Sequence, residues 1–242
     1  MFSTLHFVWL FICAVLITAG AIVAVKNKIT LAFTLTLLCI FCVTSEVVKI
    51  FCVLIREERV VEGKGVFIKE TDLPFHLCSL QLFFAFIAKF TKNEKVRSFL
   101  LTFMMPTCVL GGVAALLIPT ITCSFANPRT YQYFLYHASI IWFAVVVIAR
   151  FNVDLSVKGF LKTVVGLLAI VFVTFYINGF FQNTNFLYLS APPMDGLPVL
   201  NMDNGWFVYF ISYMALALVL IALFFTPFWI RNYRKKSRKT EC

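Results

Sequence analysis

Apolar residues run along this chain in seven long stretches separated by short polar segments: Leu5–Val25, Ile29–Ile55, Leu73–Phe90, Phe99–Ile118, Tyr131–Ala149, Val157–Phe181 and Trp206–Ile230. A helix needs about 20 apolar residues to cross the hydrocarbon of a bilayer. The runs are continuous rather than alternating, which predicts helices and not the strands of a barrel. The third run is the shortest. The pattern therefore predicts an all-α polytopic membrane protein. A bundle of seven transmembrane helices fills residues 1–230, and a basic cytoplasmic tail follows over 231–242. The first run reads as a span and not a cleaved leader, because no basic segment precedes it and Lys26 and Lys28 follow it.

Composition agrees with burial in lipid. Of 242 residues 61% are hydrophobic, 29 are Phe and only 13% are charged. So few charges cannot cover a water-facing surface, which excludes a soluble globular enzyme and a disordered chain alike. The net charge of +10 in a soluble protein would raise the question of nucleic acid, but these cations sit between the apolar runs and not in a groove.

Their distribution instead sets an orientation. With the C-terminus inside, the inner segments hold Lys26, Lys28, Lys89, Lys92, Lys95, Arg97, Arg150, Lys158, Lys162 and six residues of the tail. The outer ones hold only Arg56, Arg59, Lys64, Lys69 and Arg129, together with seven acids, Asp195 among them. The positive-inside rule then predicts an outer N-terminus, a cytoplasmic C-terminus and a multi-pass protein of the cell membrane. Most of the eight Cys lie inside apolar runs, which argues against a disulfide framework.

Polar side chains inside spans are costly and face the bundle interior or a wet cavity. Here they share one depth. Span two carries Glu46 and Lys49 in its outer half. Span three opens with His76, Cys78, Ser79 and Gln81, and span five with Tyr133, His137 and Ser139. Span six ends with Thr174 and Asn178. The inner halves are nearly pure hydrocarbon, so the pattern predicts a polar chamber open to the outside. Glu46 and Lys49 are also spaced i,i+3, as a neutralising ion pair would be. His6 falls at the outer edge of span one and reads as interfacial.

On a regular helix His76 and Cys78 point about 200° apart, so His76 is poorly placed to deprotonate Cys78. A base for a Cys78 nucleophile would come from another helix, and His137 lies at matching depth. Tyr133, Asn178 or Glu46 are candidates to orient His137, and Gln81 to hold an oxyanion. No HxxxH, HExxH, GxSxG or P-loop spacing occurs, and no metal or cofactor is expected. The outer segment 182–205 is too apolar for a loose linker and reads as a loop lying on the bundle mouth. Its Asn185 and Tyr188 are candidate contacts, and Tyr188, Trp206 and Tyr209 suit the membrane interface.

Three motifs in order, LPFHLCS (Leu73–Ser79), YHAS (Tyr136–Ser139) and NTNFLYL (Asn183–Leu189) followed by Pro192 and Pro193, resemble the YwaF-type family of bacterial integral membrane proteins. The resemblance spans nearly the whole chain and includes the Glu of span two. More distantly, the chain is similar to a eukaryotic multi-spanning acyltransferase that remodels ether phospholipids. That likeness implies a role for the Cys of Pro-x-His-x-Cys, here Cys78, with His137 as partner.

Two functions remain open at this point. One is a lipid acyltransferase or hydrolase with Cys78 and His137 as catalytic pair and membrane lipids as partners. The other is a non-enzymatic binder or transporter of a small solute, contacted by Glu46, Lys49 and Asn178.

Overall fold

The computed structural model describes residues 3–55, 69–194 and 200–240. The charged residues counted above between Arg56 and Lys64, with Asp195, Glu241 and also Cys242, lie outside the described residues. Among the described residues seven α-helices follow in order: α1 (Thr4–Lys26), α2 (Leu31–Ile55), α3 (Leu77–Phe90), α4 (Glu94–Leu117), α5 (Pro128–Arg150), α6 (Val157–Phe180) and α7 (Trp206–Thr240). No strand occurs among the described residues. All but α3 are long and apolar enough to cross a membrane.

Side chains at the starts explain where several helices begin. Ser3 accepts from the His6 N–H, Asn93 Oδ1 from the Lys95 and Val96 N–H groups, and Asn127 Oδ1 from the Arg129 N–H. Each satisfies donors that the first turn leaves without a helical partner. Pro128 sits at the first helical position of α5, where its missing N–H costs nothing. At the far end of the chain α7 continues past Ile230 to Thr240, so helix and hydropathy do not end together.

α3 departs most from the sequence reading. It begins at Leu77, not Leu73, because Pro74 pushes the residue before it out of helical geometry, and Leu73 is extended at φ −63°, ψ 149°. His76 is the extended residue that precedes the helix. The expectation that His76 lies on one regular helix with Cys78 is therefore corrected. With 14 residues α3 is about 21 Å long, short of the ~30 Å of hydrocarbon.

The arrangement has a centre. α2, α3, α4 and α5 pack in a closed ring, each against the next, and α5 returns to α2. α1 lies on the outer side of α5, while α6 and α7 lie against α4. About two thirds of α5 and 61% of α4 are buried, against 22% of α1 and 11% of α7. Leu38, Ala85, Met104, Met105, Ile140 and Phe143 are fully buried in the interior of the ring. Trp9 joins α1 to α5 by stacking on Phe134 at 5.2 Å.

The α5–α6 connection is a compact polar unit. Lys162 Nζ lies 2.8 Å from Asp154 Oδ2, and Asp154 also accepts from the Ser156 hydroxyl. Burial pushes the Asp154 carboxyl up, but the Lys162 and Ser156 hydrogen bonds outweigh it and hold the group below its ordinary range. A carboxyl depressed in the folded state stabilises above its unfolded value, and that stability disappears as pH falls through the folded one. The melting temperature of Asp154→Asn should thus lie below that of the parent protein near neutral pH. The gap should close as pH drops from about 5 to about 3. Melting curves across that window check this, and a gap that does not narrow removes the ion pair as its cause.

Candidate functional site

The first turn of α3 carries the thiol into the ring. Gly111 on α4 lies opposite, and a Cβ there would sit 3.4 Å from Cys78 Sγ. Gly111 is six residues from the end of α4, and Tyr136, which donates its hydroxyl proton to the Cys78 carbonyl, is eight residues into α5. At 1.5 Å per residue the thiol lies roughly 9–12 Å below those helix ends. A helix start at that depth is tolerated because it is enclosed by protein. The N–H groups of Leu77, Cys78 and Ser79 have no helical acceptor, so they are donors available inside the ring.

His137 is buried on α5 between the rings of Tyr133, at 4.4 Å, and Tyr136, at 5.4 Å. Its Nδ1 lies 2.7 Å from the Tyr133 carbonyl oxygen, which can only accept. The proton therefore resides on Nδ1 and leaves Nε2 as a bare base. Orientation comes from the backbone of Tyr133 and not from its hydroxyl, which donates to Ala115 O at 3.0 Å. The His137 carbonyl would be 3.2 Å from a Cβ on Gly112. Cys78 and His137 thus flank adjacent glycines of α4. No hydrogen bond joins thiol to imidazole among the described residues; catalytic hydrogen bonds are often long before substrate binds.

Charged groups gather above this pair. Glu46 and Lys49 form an ion pair, and Lys49 is only 8% exposed. Lys49 lies within Coulombic range of His76, and Arg129, within that range of Glu46 and Asp72, donates to Gln132 Oε1. The His76 ring lies 5.4 Å from Phe186 and 5.2 Å from Tyr188. Tyr188 is in turn within electrostatic range of Cys78. The segment that carries Tyr188 lies back on the bundle as expected, with Phe186, Leu187 and Leu189 buried.

Other candidates are committed elsewhere. Gln81 is fully buried, and its Nε2 donates to Leu77 O and to Thr107 Oγ1 while its Oε1 accepts from Cys108. Both amide hydrogens are engaged, so the first-turn N–H groups of α3 are better placed for an oxyanion. Asn178 donates to Phe186 O and accepts from Phe186 N–H and the Thr184 hydroxyl, while Asn185 bridges Ala191 O and the Ser190 N–H. Their work is to hold a loop in which Leu187 and Tyr188 adopt left-handed φ of 57° and 54°. Such conformations cost on the order of 1–3 kcal/mol each and persist only where the surroundings impose them. Two interfacial expectations are corrected. His6 is 1% exposed with Nε2 2.8 Å from Leu116 O, and Tyr209 is 1% exposed with its hydroxyl on Tyr188 O.

Tyr136, Gly111, Gly112 and Arg129 were not singled out from the sequence as site residues. The YHAS motif contained the first, and the adjacent glycines were the available signal for the next two. A groove of about 470 Å³ also opens on the lipid side between α2 and α5. It runs along Phe41, Thr44 and Ser45 of α2, past Phe125, and along Leu135 to Tyr136 of α5. The seven described cysteines are free, and no cluster of His, Cys, Asp or Glu among the described residues is placed to hold a metal.

The model of the TMEM164 family matches residues 1–225. No curated protein and no solved structure matches the chain.

Proposed function

The chain belongs to the TMEM164 family, a family of multi-span membrane proteins, and from that premise we propose that it transfers or hydrolyses acyl groups of membrane lipids through Cys78 and His137. The observation that carries the reading is a thiol in the first turn of a helix that starts inside the bundle, against Gly111, while the adjacent Gly112 meets the backbone of His137, whose Nδ1 is anchored. The more distant likeness to a lipid-remodelling acyltransferase, which implies a role for the Cys of Pro-x-His-x-Cys, here Cys78, supports it.

The steps balance without a cofactor. The Cys78 thiol passes its proton to His137 Nε2, and sulfur bonds to the ester carbonyl carbon. Negative charge on the carbonyl oxygen meets the first-turn N–H groups of α3 and the positive end of that helix. Collapse breaks the acyl C–O bond, and the departing alkoxide takes the proton from His137. An acceptor hydroxyl, from a second lipid or from water, then attacks the thioester while His137 takes its proton, and the thiol is regenerated. Glu46, Lys49, Arg129 and His76 line the approach of the headgroup. The distribution of basic residues puts this end of the bundle outside, with the C-terminus cytoplasmic.

The solute-binding alternative draws less support. Asn178, one of its three contacts, is spent on the loop, and the other two neutralise each other.

The test is acyl-enzyme trapping. Full-length protein in phospholipid vesicles, quenched in acid and digested, should yield a Cys78 peptide heavier by one acyl group and cleaved by hydroxylamine. Cys78→Ala should yield none. An unmodified Cys78 peptide during measured lipid turnover would overturn the mechanism.

A further inference from the structure

We propose that the groove between α2 and α5 is a lateral port that holds one acyl chain of a bilayer phospholipid. The proposal rests on the lipid-directed reading above but not on its thiol chemistry.

Position names the occupant. The groove lies along residues 41–48 of α2 and 125–136 at the start of α5, within stretches long and apolar enough to span a bilayer. Whatever fills it comes from the membrane. Phe41, Phe125 and Leu135 are all exposed on its walls, and about 470 Å³ is in the range of sites that take small ligands. An open apolar groove on a face that spans the bilayer is within reach of lipid tails.

The polar parts suit a phospholipid and not a plain hydrocarbon. Gln132 crosses the groove to the Ser45 hydroxyl and accepts from the Arg129 guanidinium on its other side. The Arg129 guanidinium and the Gln132 amide at this rim complement a headgroup phosphate. At its inner end the groove reaches Tyr136, whose hydroxyl holds the Cys78 carbonyl. A chain lying here has its ester at the polar rim, about one helical turn along α5 from Tyr136.

The experiment uses the full chain in phosphatidylcholine–phosphatidylglycerol vesicles doped with a phosphatidylcholine that bears a diazirine on one acyl chain. After photolysis, adducts mapped by mass spectrometry should concentrate in residues 41–48 and 125–136. Leu135→Trp and Thr44→Trp fill the groove from exposed positions on opposite walls, so neither disturbs the core. Each should lower adduct yield there by about tenfold, which is the loss of roughly two buried methylenes. Cys78→Ala should leave the yield unchanged. Adducts spread over α1, α6 and α7 in proportion to exposure, or undiminished in both Trp variants, would overturn the port. Adducts that persist while no thioester forms would instead keep the port and remove the transfer chemistry.

Discussion

Cys78→Ala should lower acyl turnover by about 10⁶-fold, because loss of a nucleophile removes the whole covalent route and leaves only what binding and the α3 N–H groups supply. His137→Gln should cost a further-reaching but smaller factor of roughly 10²–10⁴, the usual contribution of general acid–base catalysis. The two substitutions are chosen to spare the fold. Cys78 is only partly buried, and Cys78→Ala removes a single sulfur atom while keeping Cβ and the α3 backbone. The amide of Gln at position 137 can still donate to the Tyr133 carbonyl that now receives the Nδ1 proton. Release of labelled acyl groups from phospholipid in vesicles measures both, with melting temperature as the control for folding. Turnover within tenfold of the parent in a folded Cys78→Ala protein would remove the thiol from the reaction.

Gly159→Ala should be the most damaging of the single-methyl additions to the fold. A Cβ at this position would stand 1.8 Å from the Asp154 carbonyl oxygen and 2.8 Å from its carbon, and both belong to backbone that a rotamer change cannot clear. The 151–156 connection would have to lift away, breaking the Ser156 cap on Gly159 N–H and the Asp154–Lys162 pair. A loss of about 3 kcal/mol or more is expected, beyond the range of ordinary overpacking. Gly179→Ala supplies the comparison, since nothing lies within 4 Å of its added Cβ. In that late turn of α6 alanine should be neutral or stabilising by up to about 1 kcal/mol through helix propensity. Thermal unfolding of both variants in the same micelles checks the contrast. Equal melting temperatures would mean that the loop is free to shift.

The helices themselves were legible because the bilayer leaves the backbone no choice. Without water to bond, each N–H and C=O must be satisfied within its own segment, so twenty apolar residues declare a helix by composition alone. The Glu46–Lys49 pair was legible for a related reason, since i,i+3 spacing on one helix fixes which side chains meet. Even the loop over residues 182–194 announced itself by being too apolar to stand in water.

The arrangement of the site followed other rules. Asn178 had the depth of a site residue, yet its partners lie on the loop eight residues later. His6 looked interfacial until α1 packed on α5 and buried it against the end of α4. Pro74 was visible, but the depth at which α3 starts depends on how Cys78 meets Gly111 and Tyr136 on two other helices. Hydropathy is a property of single residues, and local spacing is a property of one helix. From these alone come the membrane setting, the spans and the ends at which polar groups collect. The rotation of each helix about its axis was decided only in the ring of α2 to α5. Packing between neighbours sets that rotation, and with it whether a polar side chain faces the thiol, a loop or a lipid.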